Sequence, residues 1–180
     1  KQAHIIAKMN SLCDKEIIAA LYEASCAGVK IELIVRGICC LKAGIPGLSE
    51  NISVRSIVGN FLEHSRIFYF ENDGAPKLFM GSADWMPRNL DKRVEIVFPV
   101  EEEEVQRKVM HILEVELADN VKAHILQPDG SYEKPDRRGK VQVNSQDQFC
   151  EEAVRAAAAE LKKTEIAGRR TFIPVESHEE

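Results

Sequence analysis

The stretch from Asp14 to Gly37 constrains the fold of this chain most. Asp14 stands where a helix N-cap belongs, Ile17, Ile18, Leu21, Tyr22 and Ser25 follow at helical spacing, and Gly28 supplies the stop. Directly behind it, Val29–Val35 (VKIELIV) is rich in β-branched residues and ends at Arg36-Gly37. A helix that runs straight into a buried strand is an α/β step, and α/β folds place their sites at strand ends.

The rest of the chain extends this pattern. His4–Leu12 opens as a short extended segment, with Ile5, Ile6 and Met9 as its apolar positions. Ile52–Val58 and Ser65–Phe70 read as strands, the latter closed by a turn at Asn72-Asp73-Gly74. Lys77–Met80 and Val94–Phe98 supply two more. A helix is expected from Glu101 to Leu117, with acidic residues in its first turn and one face formed by Val105, Val109, Ile112, Leu113 and Leu117. Residues 127–139 are polar and turn-rich, 146–163 should form a solvated helix, and the tail from Thr164 is too short for a core of its own. The expected fold class is α/β, a mixed sheet flanked by helices. Its main domain spans residues 1–127, and a turn-rich segment and helix over 128–180 pack on it.

With 180 residues the chain is one domain's worth, and its net charge of −5 argues against general nucleic-acid binding. No apolar run approaches the ~20 residues of a membrane span. The chain starts without Met, inside a strand-like segment, and reads as a piece of a longer protein. The five cysteines, with an adjacent pair and no C-x-x-C, fit neither a disulfide framework nor a zinc site, so reduced thiols in a cytoplasmic protein are expected.

Three segments gather polar groups at strand ends. Arg36 emerges from an apolar strand beside Gly37 and can offer a guanidinium fork to phosphate, although an Arg in that place is by default a surface ion pair. His64 and Arg66 are two apart at the entry to a strand, which predicts that both point to one sheet face. Residues 81–93 carry small residues and then Arg88, Asn89, Lys92 and Arg93. That cluster of donors on an acidic chain points to a polyanion. In the same segment Trp85 reads as a packing anchor, and Asp84 and Asp91 as holders of the arginines. Lys8 lies in the first strand-like segment and could face the same site, whereas Arg55 reads as solvent-facing structure.

These segments, in order, resemble polyphosphate kinase. The likeness runs from Ala7-Lys8-Met9-Asn10-Ser11-Leu12 through Leu33-Ile34-Val35-Arg36-Gly37-Ile38-Cys39, Ser49-Glu50-Asn51-Ile52 and Ser56 to Arg66 (SIVGNFLEHSR). It ends with Phe70-Glu71-Asn72 and Gly81 to Asp91 (GSADWMPRNLD). An ordered series over more than half of a chain is far more specific than one short motif.

The resemblance implies a phospholipase D-like fold in which two similar halves each give an H-x-K-type element to a shared site, with this chain as the second half. His64-x-Arg66 takes the H-x-K place with Arg for Lys, Glu71 falls where the full pattern has Asp, and Gly81-Ser82-Ala83-Asp84 resembles G-S-x-N with Asp for Asn. It implies reversible transfer of the ATP γ-phosphoryl to polyphosphate through a phosphohistidine in the preceding half. His64, Arg66 and Arg93 are the implied catalytic residues. Lys8, Arg36, His64, Arg88 and Arg93 are the implied contacts of ATP or polyphosphate. ATP, ADP, inorganic polyphosphate and the other domains of the same polypeptide are the expected partners, with Mg²⁺ arriving with the nucleotide, no metal ligands in this chain and a homo-oligomeric full-length protein. A cytoplasmic location is expected, with membrane association left open. Two other readings stay open: half of a phospholipase D-like phosphodiesterase or nuclease, and a non-catalytic polyanion-binding module.

Overall fold

The structure is a computed structural model that describes residues 3–166. Eight strands form one mixed sheet in the spatial order β6-β5-β4-β1-β2-β3-β7-β8. They are β1 (His4–Met9), β2 (Lys30–Val35), β3 (Ile52–Ile57), β4 (Arg66–Phe70), β5 (Lys77–Gly81), β6 (Val97–Pro99), β7 (Ala123–Leu126) and β8 (Tyr132–Glu133). β1, β2 and β3 run parallel, and every other neighbouring pair is antiparallel. Helix α1 (Lys15–Cys26) makes the expected crossover from β1 to β2. The Asp14 side chain caps it by accepting from the Ile17 amide at 2.9 Å, and Gly28 ends it at φ +86°.

Because the central strands are buried on both faces, successive residues enter two different cores. Ala7, Met9, Leu33, Val35, Val54 and Phe68 face the α1 side, where Leu21 packs against them. Ile6, Ile34, Ile57 and Ile67 face the other side, against Val109 and Leu113 of α3 (Glu103–Ala118). The alternation decides the fate of two cations. Lys8 shares the parity of Ile6 and points under α3. Arg55 shares the parity of Ile57, and there the sequence expectation is corrected: the face it occupies is covered by α3. The half-buried guanidinium donates to the carbonyls of Glu116 and Leu117, as a cation at a helix C-terminus does.

Some elements were not read from the sequence. The helix α2 (Pro87–Lys92), with Pro in its first turn, occupies the stretch read as a row of donors. β7 and β8 were missed as well, and Val94–Phe98 shrinks to the three residues of β6. α4 (Ser145–Ile166) forms where a helix was expected; the tail beyond 166 lies outside the described residues. By compactness the chain divides into Lys1–Gln146, which holds the whole sheet, and Asp147–Glu180. All five cysteines are free thiols. Among the described residues no helix is long and apolar enough to cross a membrane.

The turn from α3 into β7 hangs on Asp119, which is 1% exposed. Its Oδ1 accepts from the amides of Val121, Lys122 and Ala123 at 2.8–3.1 Å, and its Oδ2 accepts from the amide and hydroxyl of Ser145 at 2.8 and 2.7 Å. Asp119→Ala strips several buried donors of their acceptor at once. It is expected to lower the unfolding free energy by about 3 kcal/mol or more in urea titrations. Asp129→Ala, on an exposed turn, should stay within roughly 1 kcal/mol of the parent.

Candidate functional site

The sheet register draws a line of polar residues along one edge. β1 and β2 end side by side, with Met9 opposite Val35, so Asn10 and Arg36 follow as neighbours. β4 begins at Arg66, opposite Gly81 at the end of β5. Hydrogen bonds tie this line together. Arg36 Nε donates to Asn10 Oδ1 at 2.9 Å. The Asn10 backbone amide donates to Asp84 Oδ1 at 2.7 Å, and its side-chain amide to the same oxygen at 3.3 Å. Arg66 grips both Asp84 oxygens, Nε to Oδ1 and Nη2 to Oδ2, each at 3.1 Å. The remaining terminal nitrogen, Nη1, donates to the carbonyl of His64 at 2.8 Å.

The anchor of this line is seated by packing. Trp85 stacks on Phe68 with ring centroids 5.1 Å apart, and its carbonyl accepts from the amides of Cys13 and Asp14. This fixes Asp84 beside it and bears out the reading of Trp85 as an anchor. Burial alone would raise the Asp84 carboxyl, but Arg66 and Asn10 hold it below the ordinary range, so it stays ionised.

His64 lies in the loop before β4, so strand alternation does not govern it. Its ring is exposed and has no partner among the described residues, while Arg66 folds back beneath its carbonyl. Arg93 follows α2 with its side chain 53% exposed and Nε 3.5 Å from Glu95. Glu95 also accepts from Asn89 at 2.6 Å and from the Ser82 hydroxyl, next to the Arg66–Gly81 pair. Asn89, read as one of a set of donors, is buried and donates within the chain to Glu95. Arg88 is exposed on α2.

The family described as Polyphosphate kinase C-terminal domain 2 matches residues 1–146. The chain belongs to it. The polyphosphate kinase of Lactiplantibacillus plantarum is 52% identical over 171 residues, a match covering 94% of this chain and 24% of that protein. The chain therefore spans about a quarter of the length of this relative. The crystal structure of polyphosphate kinase from Porphyromonas gingivalis superposes with a TM-score of 0.79 at 40% identity, over 93% of this chain and 24% of that one. Nuc of Salmonella typhimurium, a phospholipase D family member, is alike in fold: TM-score 0.52 at 14% identity, covering 69% of this chain and 82% of that one. The chain thus has the phospholipase D-like α/β fold.

Within this polyphosphate kinase domain the expectation for Lys8 is corrected as well. Lys8, implied as a contact of ATP or polyphosphate, is not at the surface. It is 2% exposed beneath α3, with Nζ 3.4 Å from Glu63 and 3.5 Å from Glu116. The alternation of β1 sends it there, and an ammonium in that place requires carboxylates around it. Glu71, at the far end of β4 from His64, accepts instead from the Tyr69 hydroxyl. The sequence reading passed over Asn10, Glu63 and Glu95 as individual groups, although the first two stand inside the quoted segments AKMN and FLEHSR.

Glu116 is fully buried, which pushes its carboxyl up to about 8, with Glu63 adding to the rise and Lys8 opposing it. At neutral pH it keeps its proton, leaving Lys8 to balance the ionised Glu63. Between about pH 5 and about pH 8 the folded chain therefore holds a proton that the unfolded chain has released, and stability falls as pH rises through that window. Glu116→Gln, which keeps a neutral side chain of the same shape, removes this slope. Urea unfolding across the window should show the variant gaining on the parent by on the order of 1 kcal/mol or more toward its upper end.

Proposed function

We propose that the chain is the second phospholipase D-like half of a polyphosphate kinase catalytic region. In this reading it contributes one side of a site that moves the ATP γ-phosphoryl reversibly to polyphosphate, through a phosphohistidine in the preceding half. The observation that carries the reading is the bidentate Arg66–Asp84 pair. The departures of the sequence from H-x-K and G-S-x-N, Arg for Lys and Asp for Asn, are the two ends of this one interaction. A carboxylate that fills the guanidinium fork makes the arginine a brace for His64 and removes the free lysine of phosphodiesterase chemistry.

Phosphoryl transfer asks mainly for positioning and charge neutralisation. The unpaired ring of His64, the outer nitrogens of Arg36, and the exposed Arg88 and Arg93 are donors suited to a polyanionic chain. Arg66, with one free N–H on each terminal nitrogen, adds to the field behind them. The departing ADP oxygen is weakly basic and the acceptor end of polyphosphate is already ionised, so little proton transfer is needed. His64 accordingly acts as a hydrogen-bond donor to the transferring group rather than as a general acid. Mg²⁺ enters with the nucleotide. The carboxylates at the site, Asp84 and Glu95, are engaged by arginine and amide donors and suit holding those groups better than holding a metal.

In the full-length protein, His64→Ala should lower ATP-dependent polymer synthesis on the order of 10²-fold or more, and His64→Gln, which keeps a donor, should recover part of that loss. Equal inactivation by both, with the parent's activity following one ionisation at His64, would establish proton transfer instead. Hydrolysis of a phosphodiester substrate by the full-length protein, without ATP-dependent polymer, would favour the phosphodiesterase reading. The chain on its own should take up no stable label from ATP at alkaline pH, where phosphohistidine survives.

A further inference from the structure

The ring of His64 is free, its backbone is held from the β4 side by Arg66, and the loop before it is held separately. Gln146, 3% exposed in the first turn of α4, closes an amide clasp on Phe61. Its Oε1 accepts from the Phe61 amide at 3.0 Å and its Nε2 donates to the Phe61 carbonyl at 2.9 Å. The same Nε2 donates to Glu63 Oε1 at 2.9 Å, while Glu63 Oε2 lies 3.4 Å from the buried Lys8. A Cβ on Gly59 would fall 2.3 Å from Gln146 Oε1, so the bare backbone at Gly59 is what admits the amide.

We propose that Gln146, with Glu63 and Lys8 beneath it, is the positioning device that sets His64 at the site. The proposal rests on the reading of His64 given above. The loop from Gly59 to Ser65 carries exposed Phe61 and Leu62, 58% and 67% accessible, which give it no core of its own. Its place is set by polar contacts at two points: the clasp and Lys8 on one side of His64, and Arg66 under the His64 carbonyl on the other. A buried polar contact set of this kind, with every hydrogen-bonding group of the Gln146 amide paired, favours one conformation. Gln146, Glu63 and Lys8 touch no substrate and act through His64.

The test uses the full-length protein and reads kcat and KM for ATP separately, with thermal unfolding as a check on folding. Gln146→Leu is expected to lower kcat roughly 10-fold to 10²-fold while KM stays within about twofold, since a misplaced group weakens the transition state more than the ground state. Gly59→Ala removes no polar group and pushes the amide aside. It should reproduce the loss and decides the matter if Gln146→Leu fails to fold. Combined, the two should lose no more than the worse single variant, because both act through one contact. Wild-type kcat in folded Gln146→Leu and Gly59→Ala, multiplied losses in the double variant, or a rise in KM alone would each overturn the proposal. His64→Ala separates the two levels: full activity there overturns the reading of the site itself, whereas inactivity there beside fully active clasp variants overturns only the clasp.

Discussion

Asp84 joins three parts of the chain that are remote in sequence. Its carboxylate receives the end of β1 through Asn10 and the start of β4 through Arg66, and it is seated by the Trp85–Phe68 stack. Arg36 is tied in through Asn10, and the backbone of His64 through Arg66. A buried carboxylate with this many donors is stable only when all are present. Loss of one partner of such a pair leaves an uncompensated charge, at about 3–5 kcal/mol. The geometry of the edge therefore behaves as a unit, in which the place of His64 and the place of Arg36 are not independent variables.

The same economy of position governs β1. Four consecutive residues of this strand and the one after it serve two cores and one site: Ile6 and Lys8 face α3, Ala7 and Met9 face α1, and Asn10 begins the polar edge. A strand buried on both faces normally reads as continuously apolar. The lysine in this one is the exception, and it draws Glu63 and Glu116 around it. Glu116 lies on the α3 stripe of Val109 and Leu113, so a helix face that is otherwise apolar ends in a carboxyl that matches the strand beneath it.

Much of this was legible in the sequence. The helix-to-strand step from Asp14 to Val35, the turn at Asn72–Gly74 and the amphipathic α3 follow from local spacing and capping, which act within a few residues. The resemblance of AKMN, LIVRGIC, FLEHSR and GSADWMPRNLD identified the family. What local pattern did not carry was the partner across space. Lys8 looked like an open cation because Glu116 stands more than a hundred residues away. Arg55 looked exposed because alternation marks which residues share a face, but not that a helix covers it. α2 went unread because its polar side chains suggested a ligand before its Pro87 suggested a first turn. The clasp on Phe61 comes from a glutamine that has no motif around it, on a helix judged merely solvated.

The Arg66–Asp84 pair also limits which single substitutions this part of the chain tolerates. Both residues differ from the H-x-K and G-S-x-N patterns, and the two single substitutions toward those patterns are not equivalent. An arginine set against asparagine would leave its charge unneutralised at a position only 12% exposed, whereas a lysine set against aspartate remains an ion pair. Asp84→Asn is therefore the costlier of the two single substitutions and Arg66→Lys the milder. Once both are in place, reversal of the aspartate alone strands the arginine. The interaction thus makes the two positions interdependent: which residue one of them tolerates is set by the residue at the other.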